Sequence, residues 1–483
     1  MDTHADIFGT LSEMFLCKFC ALRFTGDNDV KKYGQFFDDE NNGTDGEVII
    51  HKHAKHIPCI SCLGFFRRTI CEETISKVSN FILNSGHDSD SFNVSLVTPI
   101  SMIVRAYSLS CYVRKKWPEY CSKISSAEFW PPSSVKNLWK DLIAPKIADR
   151  VKRKFDIASE LDITVSYVYA DDEKDYRFLL DLFPEIYKNN EVSRTSLDKI
   201  LRGTYEKWHF EKYFSSPPPL PNKFVEFHDV SMHHFSIYCG GRYNKWSRTL
   251  SQTPWIIQGK RRFETSVEEL ITYAIQRAFK ATKTMFGSSG REDVDVRCLG
   301  RGRPFFVELI NPGITKLTEQ QLTALQKEIN INGQKLVRVK YLQLIDKSVL
   351  SLLKEGEESK KKAYCAYCVV WGPMPDLNQL SICAPFDINQ KTPLRVLHRR
   401  PLLTRKRTIH ELSAVPCKSV SPEGPSFFKI NVTTQAGTYV KEFVHGDFGR
   451  TSPSLGTLLG GVKISILALD VMDICLDWPP NAT

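Results

Sequence analysis

The chain has 483 residues, 42% of them apolar and 25% charged, and carries a formal charge of +10 at neutral pH. That length exceeds one ordinary core and implies two or three domains, and the apolar content is that of a globular protein. No apolar run approaches the thickness of a bilayer, the start Met1-Asp2-Thr3-His4-Ala5-Asp6 lacks the basic and apolar regions of a signal peptide, and the positive balance favours a polyanionic partner. The expected setting is therefore cytosolic or nuclear. Fourteen cysteines in such a compartment act as thiols or metal ligands rather than as disulfides.

The first predicted element is a metal site. Cys17-Lys18-Phe19-Cys20 and Cys59-Ile60-Ser61-Cys62 are two pairs of matched spacing. Each can curl into a knuckle that points both sulfurs at one ion, and four thiolates complete a closed, structural zinc tetrahedron. The segment between them carries acidic and glycine residues over 38–46 and reads as a variable loop, while His51, His53 and His56 lie close enough to compete as ligands, leaving a mixed site open. Pro58-Cys59-Ile60-Ser61-Cys62 also fits the proline-cysteine part of the zinc-deaminase signature, which needs an upstream His-x-Glu for a ligand and the proton-transferring acid. His4, His51, His53 and His56 all lack glutamate two residues later, so that chemistry is excluded.

Further along, residues 92–97 alternate as a strand, 99–113 look helical, and 163–169 form another strand, giving a mixed α/β region over 63–214. Within it Lys136, Lys140, Lys146, Arg150, Lys152, Arg153 and Lys154 outnumber Asp141 and Asp149, a first basic tract. Ser215-Ser216-Pro217-Pro218-Pro219-Leu220-Pro221 then predicts an extended spacer, since its prolines remove backbone donors. The main boundary is placed there, with a linker over 215–224 and a second domain over 225–483 in which strands and helices intermingle without internal repeats.

Gly241-Arg242-Tyr243-Asn244-Lys245-Trp246-Ser247-Arg248 interleaves cations with aromatics, a pattern suited to unpaired bases in RNA. Ser266-Val267-Glu268-Glu269 reads as a capping box, and Val267, Leu270, Ile271, Ala274, Ile275 and Phe279 recur at helical spacing. This helix is expected to stop before Gly287-Ser288-Ser289-Gly290. Residues 305–310 read as a strand that ends at Asn311-Pro312-Gly313, so Gly290-Arg291-Glu292-Asp293 lies in or beside a glycine-bounded loop. One carboxylate in a basic setting on a loop is the arrangement expected of an acid acting on RNA; the plain alternative is a solvated turn. Cys365-Ala366-Tyr367-Cys368 lies in a predicted strand, where residues three apart face opposite ways, so this pair is core rather than chelate. Lys391, Arg395, Arg399, Arg400, Arg405, Lys406 and Arg407 follow one another with no acid between, a second basic tract fit for a phosphate backbone.

Gly437-Thr438-Tyr439-Val440-Lys441 completes a pattern, because a Gly-Arg-x-Asp loop (Gly290, Arg291, Asp293) followed by this later segment resembles the pseudouridine synthases. The stretches 242–245, 289–297, 391–400 and 443–451 narrow the resemblance to the archaeal and eukaryotic synthases that modify tRNA uridines 54 and 55 of the TΨC arm. It covers residues 225–483, and the two cysteine pairs fit that family's N-terminal zinc module. Over 63–214 a THUMP-containing RNA-binding domain is carried over by position.

The resemblance implies a multidomain α/β (α+β) protein, with a zinc-bearing N-terminal RNA-binding region over 1–62 and 63–214 and a mixed-sheet catalytic domain. It implies a cofactor-independent isomerase in nucleus and cytoplasm, with tRNA as partner and one structural zinc on Cys17, Cys20, Cys59 and Cys62. Asp293 would be the catalytic carboxylate, attacking ribose or uracil or removing a sugar proton, with Asp295 as its local competitor. Lys441 would pair with Asp293, Arg291 would grip phosphates of a flipped nucleotide, and Tyr364 would stack on the target base. Tyr439 either binds substrate or packs beneath the loop. Arg242, Lys245, Arg399 and Arg400 would clasp the tRNA arm; His398 and His445 contact RNA or are buried. The alternative from another class is an RNA-binding scaffold that retains the fold.

Overall fold

The computed structural model describes residues 3–27, 29–39, 57–124, 134–187, 192–201, 210–417 and 424–480. His51, His53 and His56, and most of the predicted variable loop, lie outside the described residues. The chain divides into two compact units, Met1–His234 and Phe235–Thr483. No helix among the described residues is long and apolar enough to cross a membrane.

In the first unit β1 (Ser91–Val97) pairs in parallel with β2 (Lys154–Phe155) and β3 (Leu161–Val168), and β3 pairs antiparallel with β4 (Glu226–His234). Alternate residues of β1 and β3 are buried, as expected of a sheet packed on one face. Phe92, Val94, Ile163 and Val165 share one core with Ile70, Val78 and Ile82 of helix Arg68–Asn84 and with Trp139, Ile143 and Ile147 of helix Val135–Val151. The predicted strands are thus present, and the predicted helix spans Ser101–Lys116.

Two expected boundaries move. Phe19, Cys20, Cys59, Cys62 and Phe65 belong to that same core, so residues 1–62 do not form a module of their own. The proline segment is also packed onto this unit. Arg105 is buried and explains both: its Nε and Nη2 hold Asp175 at 2.5 and 3.0 Å, while Nη1 donates to the carbonyls of Ile60 (3.3 Å) and Pro219 (2.7 Å). A single guanidinium therefore ties the second cysteine knuckle and the proline segment to the α/β body. The chain changes unit only after β4, ten residues beyond the linker's expected end at 224.

The second unit is one mixed sheet. Its strands are β5 (Ile237–Lys245), a detached hairpin of β6 (Ile256–Ile257) and β7 (Lys260–Arg261), β8 (Lys283–Ser288), β9 (Arg297–Ile310), β10 (Val337–Ile345), β11 (Lys362–Val370), β12 (Phe386–Lys391), β13 (Thr404–Pro416), β14 (Ser426–Thr434), β15 (Thr451–Ser452) and β16 (Ile464–Ile474). Their order is β10-β5-β9-β16-β11-β14-β13-β12-β15, with β8 also on β9. One apolar core gathers β5, β8, β9 and β10 under helices Val267–Phe279 and Glu319–Asn332; another gathers β11 to β14 and β16 with helix Val440–His445. Between these halves β9 and β16 pair in parallel over only two positions, Arg297 with Asp470 and Cys298 with Val471. Side chains reinforce that seam. Asp470 accepts from Arg297 (2.9 and 2.6 Å) and Arg248 (2.6 Å). Gly300, at φ +56°, lets the strands meet: a Cβ there would sit 1.8 Å from the Met472 carbonyl oxygen.

Ser266 caps helix Val267–Phe279 by accepting from Glu269 N at 3.3 Å, as its sequence implies. Beyond it the structure departs from expectation, because Gly287 and Ser288 finish strand β8 instead of starting the loop. Gly287 is there for packing: an added Cβ would lie 2.3 Å from the Phe306 ring. The loop that follows, residues 289–296, runs between the two halves of the sheet.

Candidate active site and metal centre

The loop bearing Asp293 is fixed from beneath before its carboxylate is considered. Ser289 N donates to Pro304 O (3.0 Å), and Gly290 turns at φ +83°. Glu292 points inward and is fully buried. Its carboxylate accepts from Arg303 Nε (2.6 Å) and from the Tyr243 hydroxyl (2.9 and 3.1 Å), while Arg303 Nη1 donates to Ser289 O at 2.6 Å. Burial works against the Arg303 charge, but Glu292 outweighs it and holds the guanidinium above its usual value. Removing either partner would strand a buried charge at a cost of about 3–5 kcal/mol. Gln252 Nε2 adds contacts to the Tyr243 hydroxyl, Ser288 Oγ and Gly290 O at 2.8–3.1 Å.

Asp293 faces the other way, its carbonyl accepting from Val296 N (3.1 Å) and its side chain 35% exposed. Arg395, from the turn after β12, reaches it with Nη1 3.0 Å from Oδ2 and 3.3 Å from Oδ1. The same guanidinium donates through Nε to buried Glu442 at 2.7 Å. Burial opposes the Arg395 charge, yet Glu442 and Asp293 prevail and raise its pKa. Lys441 Nζ lies 3.4 Å from Asp293 Oδ2 but 2.7 Å from Asp295 Oδ2. Burial would lift the Asp295 pKa, and Lys441 reverses that, holding it below the usual carboxylate value. The expected pairing of Lys441 with Asp293 is therefore shared: Arg395 is the nearer cation on Asp293, and Asp295 is the nearer anion on Lys441. Two cations and two flanking acids fix one half-exposed carboxylate, a preorganised arrangement able to present a charged acid to a reacting group.

Tyr364 lies on β11, where burial pushes its hydroxyl up to about 12 against the opposing guanidinium of Arg303, so it is protonated at neutral pH. Tyr439 is half-buried at the cap of helix Val440–His445, its backbone paired with Gln390 (2.9 and 3.0 Å). Arg291, Arg399, Arg400, His398 and His445 are exposed, and His445 Nδ1 accepts from Asp447 N at 3.1 Å. Lys136 of the first basic tract is half-buried and donates to Leu96 O (2.6 Å).

Arg242 and Lys245 need correcting as tRNA contacts, since both are buried in β5, an interior strand between β9 and β10, at 2% and 0% exposure. Arg242 donates to the carbonyls of Arg301, Gly302, Ile474, Leu476 and Trp478 at 2.7–3.3 Å, stitching the C-terminal segment across the sheet. Lys245 Nζ donates to the carbonyls of Leu250 (2.8 Å), Asp293 (3.1 Å) and Val294 (2.8 Å). Burial lowers its pKa, with Glu292 opposing. Neither faces solvent; Lys245 instead clamps the backbone of the catalytic-loop candidate. Sequence reasoning missed Glu292, Arg395 and Glu442, although Arg395 stood in the basic tract.

The metal site comes together as predicted. Cys17, Cys20, Cys59 and Cys62 place their sulfurs within 4.8 Å of one another, the one such cluster found among the described residues, with Cys17 and Cys62 Sγ 3.7 Å apart. Tetrahedral coordination with Zn–S near 2.3 Å needs sulfur separations of about 3.8 Å. Arg23 adds a charge argument. It is buried, donates to Ser61 Oγ between the second pair (3.3 Å), and its Nε and Nη1 find no hydrogen-bond partner among the described residues. Four thiolates around a dication carry two excess negative charges, one of which a buried guanidinium offsets. The donors fit one such ion, whose part would be to hold the knuckles folded.

Comparison with known proteins gives consistent matches to one family. The family described as Pus10, C-terminal, matches residues 238–475, and that described as eukaryotic Pus10, N-terminal, matches residues 59–232. The chain is 37% identical over 432 residues to the tRNA pseudouridine synthase Pus10 of Xenopus laevis, covering 88% of this chain and 81% of that protein. It is 36% identical over 431 residues to the human tRNA pseudouridine synthase Pus10, covering 87% and 79%. An archaeal tRNA pseudouridine synthase Pus10, from Thermofilum pendens, is 39% identical over 249 residues, about half of each chain at 51% and 54%.

Proposed function

The chain belongs to the Pus10 family of tRNA pseudouridine synthases, and from that premise we propose that it isomerises uridine to pseudouridine in the TΨC arm of tRNA, at position 54, 55 or both. The reaction breaks the bond from the ribose C1′ to N1, turns the freed uracil and joins C1′ to C5; C5 gives up a proton and N1 gains one. It is redox-neutral, and no cofactor enters this reading. Asp293 is assigned the catalytic carboxylate, acting on sugar or base.

The observation that carries this assignment is the double hold on Asp293. Beneath, Lys245 and the Glu292–Arg303 pair fix its backbone; above, Arg395 and Lys441 offset the desolvation that a bound nucleotide would impose on its charge. Tyr364 offers a neutral ring and hydroxyl to a base turned out of its stack. Arg291, Arg399 and Arg400 are exposed cations for the phosphates. Zinc on the four cysteines, a THUMP-like RNA-binding role for the first unit, and residence in nucleus and cytoplasm belong to the same proposal.

The test is to incubate the protein with unmodified tRNA transcript and map pseudouridine at single-nucleotide resolution. Product confined to positions 54 and 55 is expected. Product at other sites alone would reject the assignment to the TΨC arm, and no product from intact protein would reject the activity.

A further inference from the structure

Four consecutive residues beside the basic loop have left-handed backbone: Gly446 (φ +77°), Asp447 (+45°), Phe448 (+55°) and Gly449 (+82°). Glycine adopts this conformation freely, whereas aspartate and phenylalanine are held there against their preference. The surroundings show what holds them. Asp447 is buried, its Oδ2 accepts from Leu394 N (3.2 Å), and its N–H donates to His445 Nδ1 (3.1 Å). On the far side Arg450 donates to Thr392 O (2.7 and 3.2 Å), and its own carbonyl accepts from Lys391 N (2.9 Å). The strained turn is thus bolted to both ends of the segment that leads into Arg395, the cation on Asp293.

All of this bracing acts through Asp447 and Arg450, yet the residue it lifts outward is Phe448, 94% exposed. A strained backbone kept around a solvent-facing ring adds nothing to the core, so the ring serves something outside the fold. Its surroundings say what. Lys391, whose N–H meets the Arg450 carbonyl (2.9 Å), is exposed, as are Arg399 and Arg400 further along the same segment; Leu394, Leu402 and Leu403 are exposed there too, but with no acid over 391–407 the charge of the segment favours a polyanion. An unpaired nucleobase has both the flat apolar face and the flanking phosphates that this pairing of ring and cations fits.

We propose that Phe448 is a stacking finger: its ring packs on an unpaired base of the RNA held at the Asp293 site. This rests on the reading that this face takes tRNA. Two links connect ring and carboxylate, Asp447 to Leu394 and then Arg395 to Asp293, so the finger has a fixed reach relative to the reacting position.

The experiment measures affinity of the full chain for unmodified tRNA transcript in the Asp293→Asn background, where turnover does not interfere. Phe448→Ala and Phe448→Leu are expected to weaken binding about 5- to 150-fold, the range for losing one base stack, whereas Phe448→Trp stays within about twofold. The F448W variant should also show tRNA-induced quenching of its emission beyond that of the parent. Phe448→Gly relaxes the turn, so it should melt no lower than the parent and still lose affinity. Parent-like affinity in F448A, or in F448L, overturns the finger; so does a fall in melting temperature that accompanies every loss of affinity. Pseudouridine mapping of the unaltered protein keeps the two ideas apart. Product with undiminished F448A binding rejects the finger alone, and no product with the expected binding losses rejects the reaction while the stacking contact stands.

Discussion

Arg395 Nη1 lies 3.0 Å from Asp293 Oδ2 while its Nε holds Glu442 Oε1 at 2.7 Å, so one guanidinium joins the candidate catalytic carboxylate to a buried acid on another element. Glu442 thereby aims Arg395, and Arg395 in turn aims Asp293.

Breaking this relay should impair turnover more than binding. Arg395→Ala is expected to lower kcat on the order of 10²-fold, the usual scale for removing one preorganised charged partner, and Glu442→Gln should lower it less, with the tRNA dissociation constant nearly unchanged in E442Q. Single-turnover rates and filter binding measure the two quantities. An unchanged rate in R395A would remove Arg395 from the site.

Lys245 and the pair Arg399 and Arg400 should separate cleanly. Lys245→Met leaves three carbonyls without their donor and should cost about 1–3 kcal/mol of stability by denaturant titration, with little change in the salt dependence of tRNA binding. The double variant R399A and R400A should leave stability unchanged and reduce the slope of log affinity against log salt by about 1 to 2. A lower slope for K245M would mean that the ammonium reaches RNA after all.

Zinc content is expected to be one ion per chain, lost in Cys17→Ser and on prolonged chelation. Because the knuckles share the core of the first unit, metal loss should lower that unit's melting temperature by several degrees. Metal stoichiometry by mass spectrometry is the check, and an unchanged ratio in C17S would exclude the four-cysteine site.

The hydroxyl of Tyr364 gives a signed pH dependence. Its pKa is raised by burial from 10.0 to about 12 in the folded chain. A raised pKa means that folding favours the protonated form, so this contribution is complete below pH 10 and is lost as pH climbs toward 12. Denaturation midpoints should fall across that window, and Tyr364→Phe should make the fall shallower. Identical slopes in the two proteins would contradict the burial of that hydroxyl.

Local patterns were legible in the sequence and long-range partnerships were not. The four cysteines showed because residues three apart on a tight turn share one direction, a relation written in spacing alone. Asp293 stood out through the Gly-Arg-x-Asp spacing that resembles a family motif, since glycine placement by itself fits a solvated turn as well. Arg395 and Glu442 did not show as partners of the site: Arg395 is 102 residues from Asp293, and only the sheet order brings them together. Arg242 and Lys245 misled because charge suggested surface, whereas β5 is flanked by β9 and β10 and its cations are spent on backbone carbonyls. Strand β8 was hidden by Gly287 and Ser288, which read as a turn until the Phe306 ring above Gly287 is seen. The proline segment read as a spacer because its missing donors were visible and the arginine that grips its carbonyls was not.

The most direct measurement compares intact protein with Asp293→Asn, a substitution that keeps shape and removes charge, by mapping pseudouridine in tRNA alongside tRNA affinity. The expected result is product at the TΨC arm with the intact chain and at least a 10³-fold slower rate, on the order of a lost catalytic group, with affinity retained in D293N. Pseudouridine formed by D293N at the intact protein's rate would contradict the assignment of Asp293.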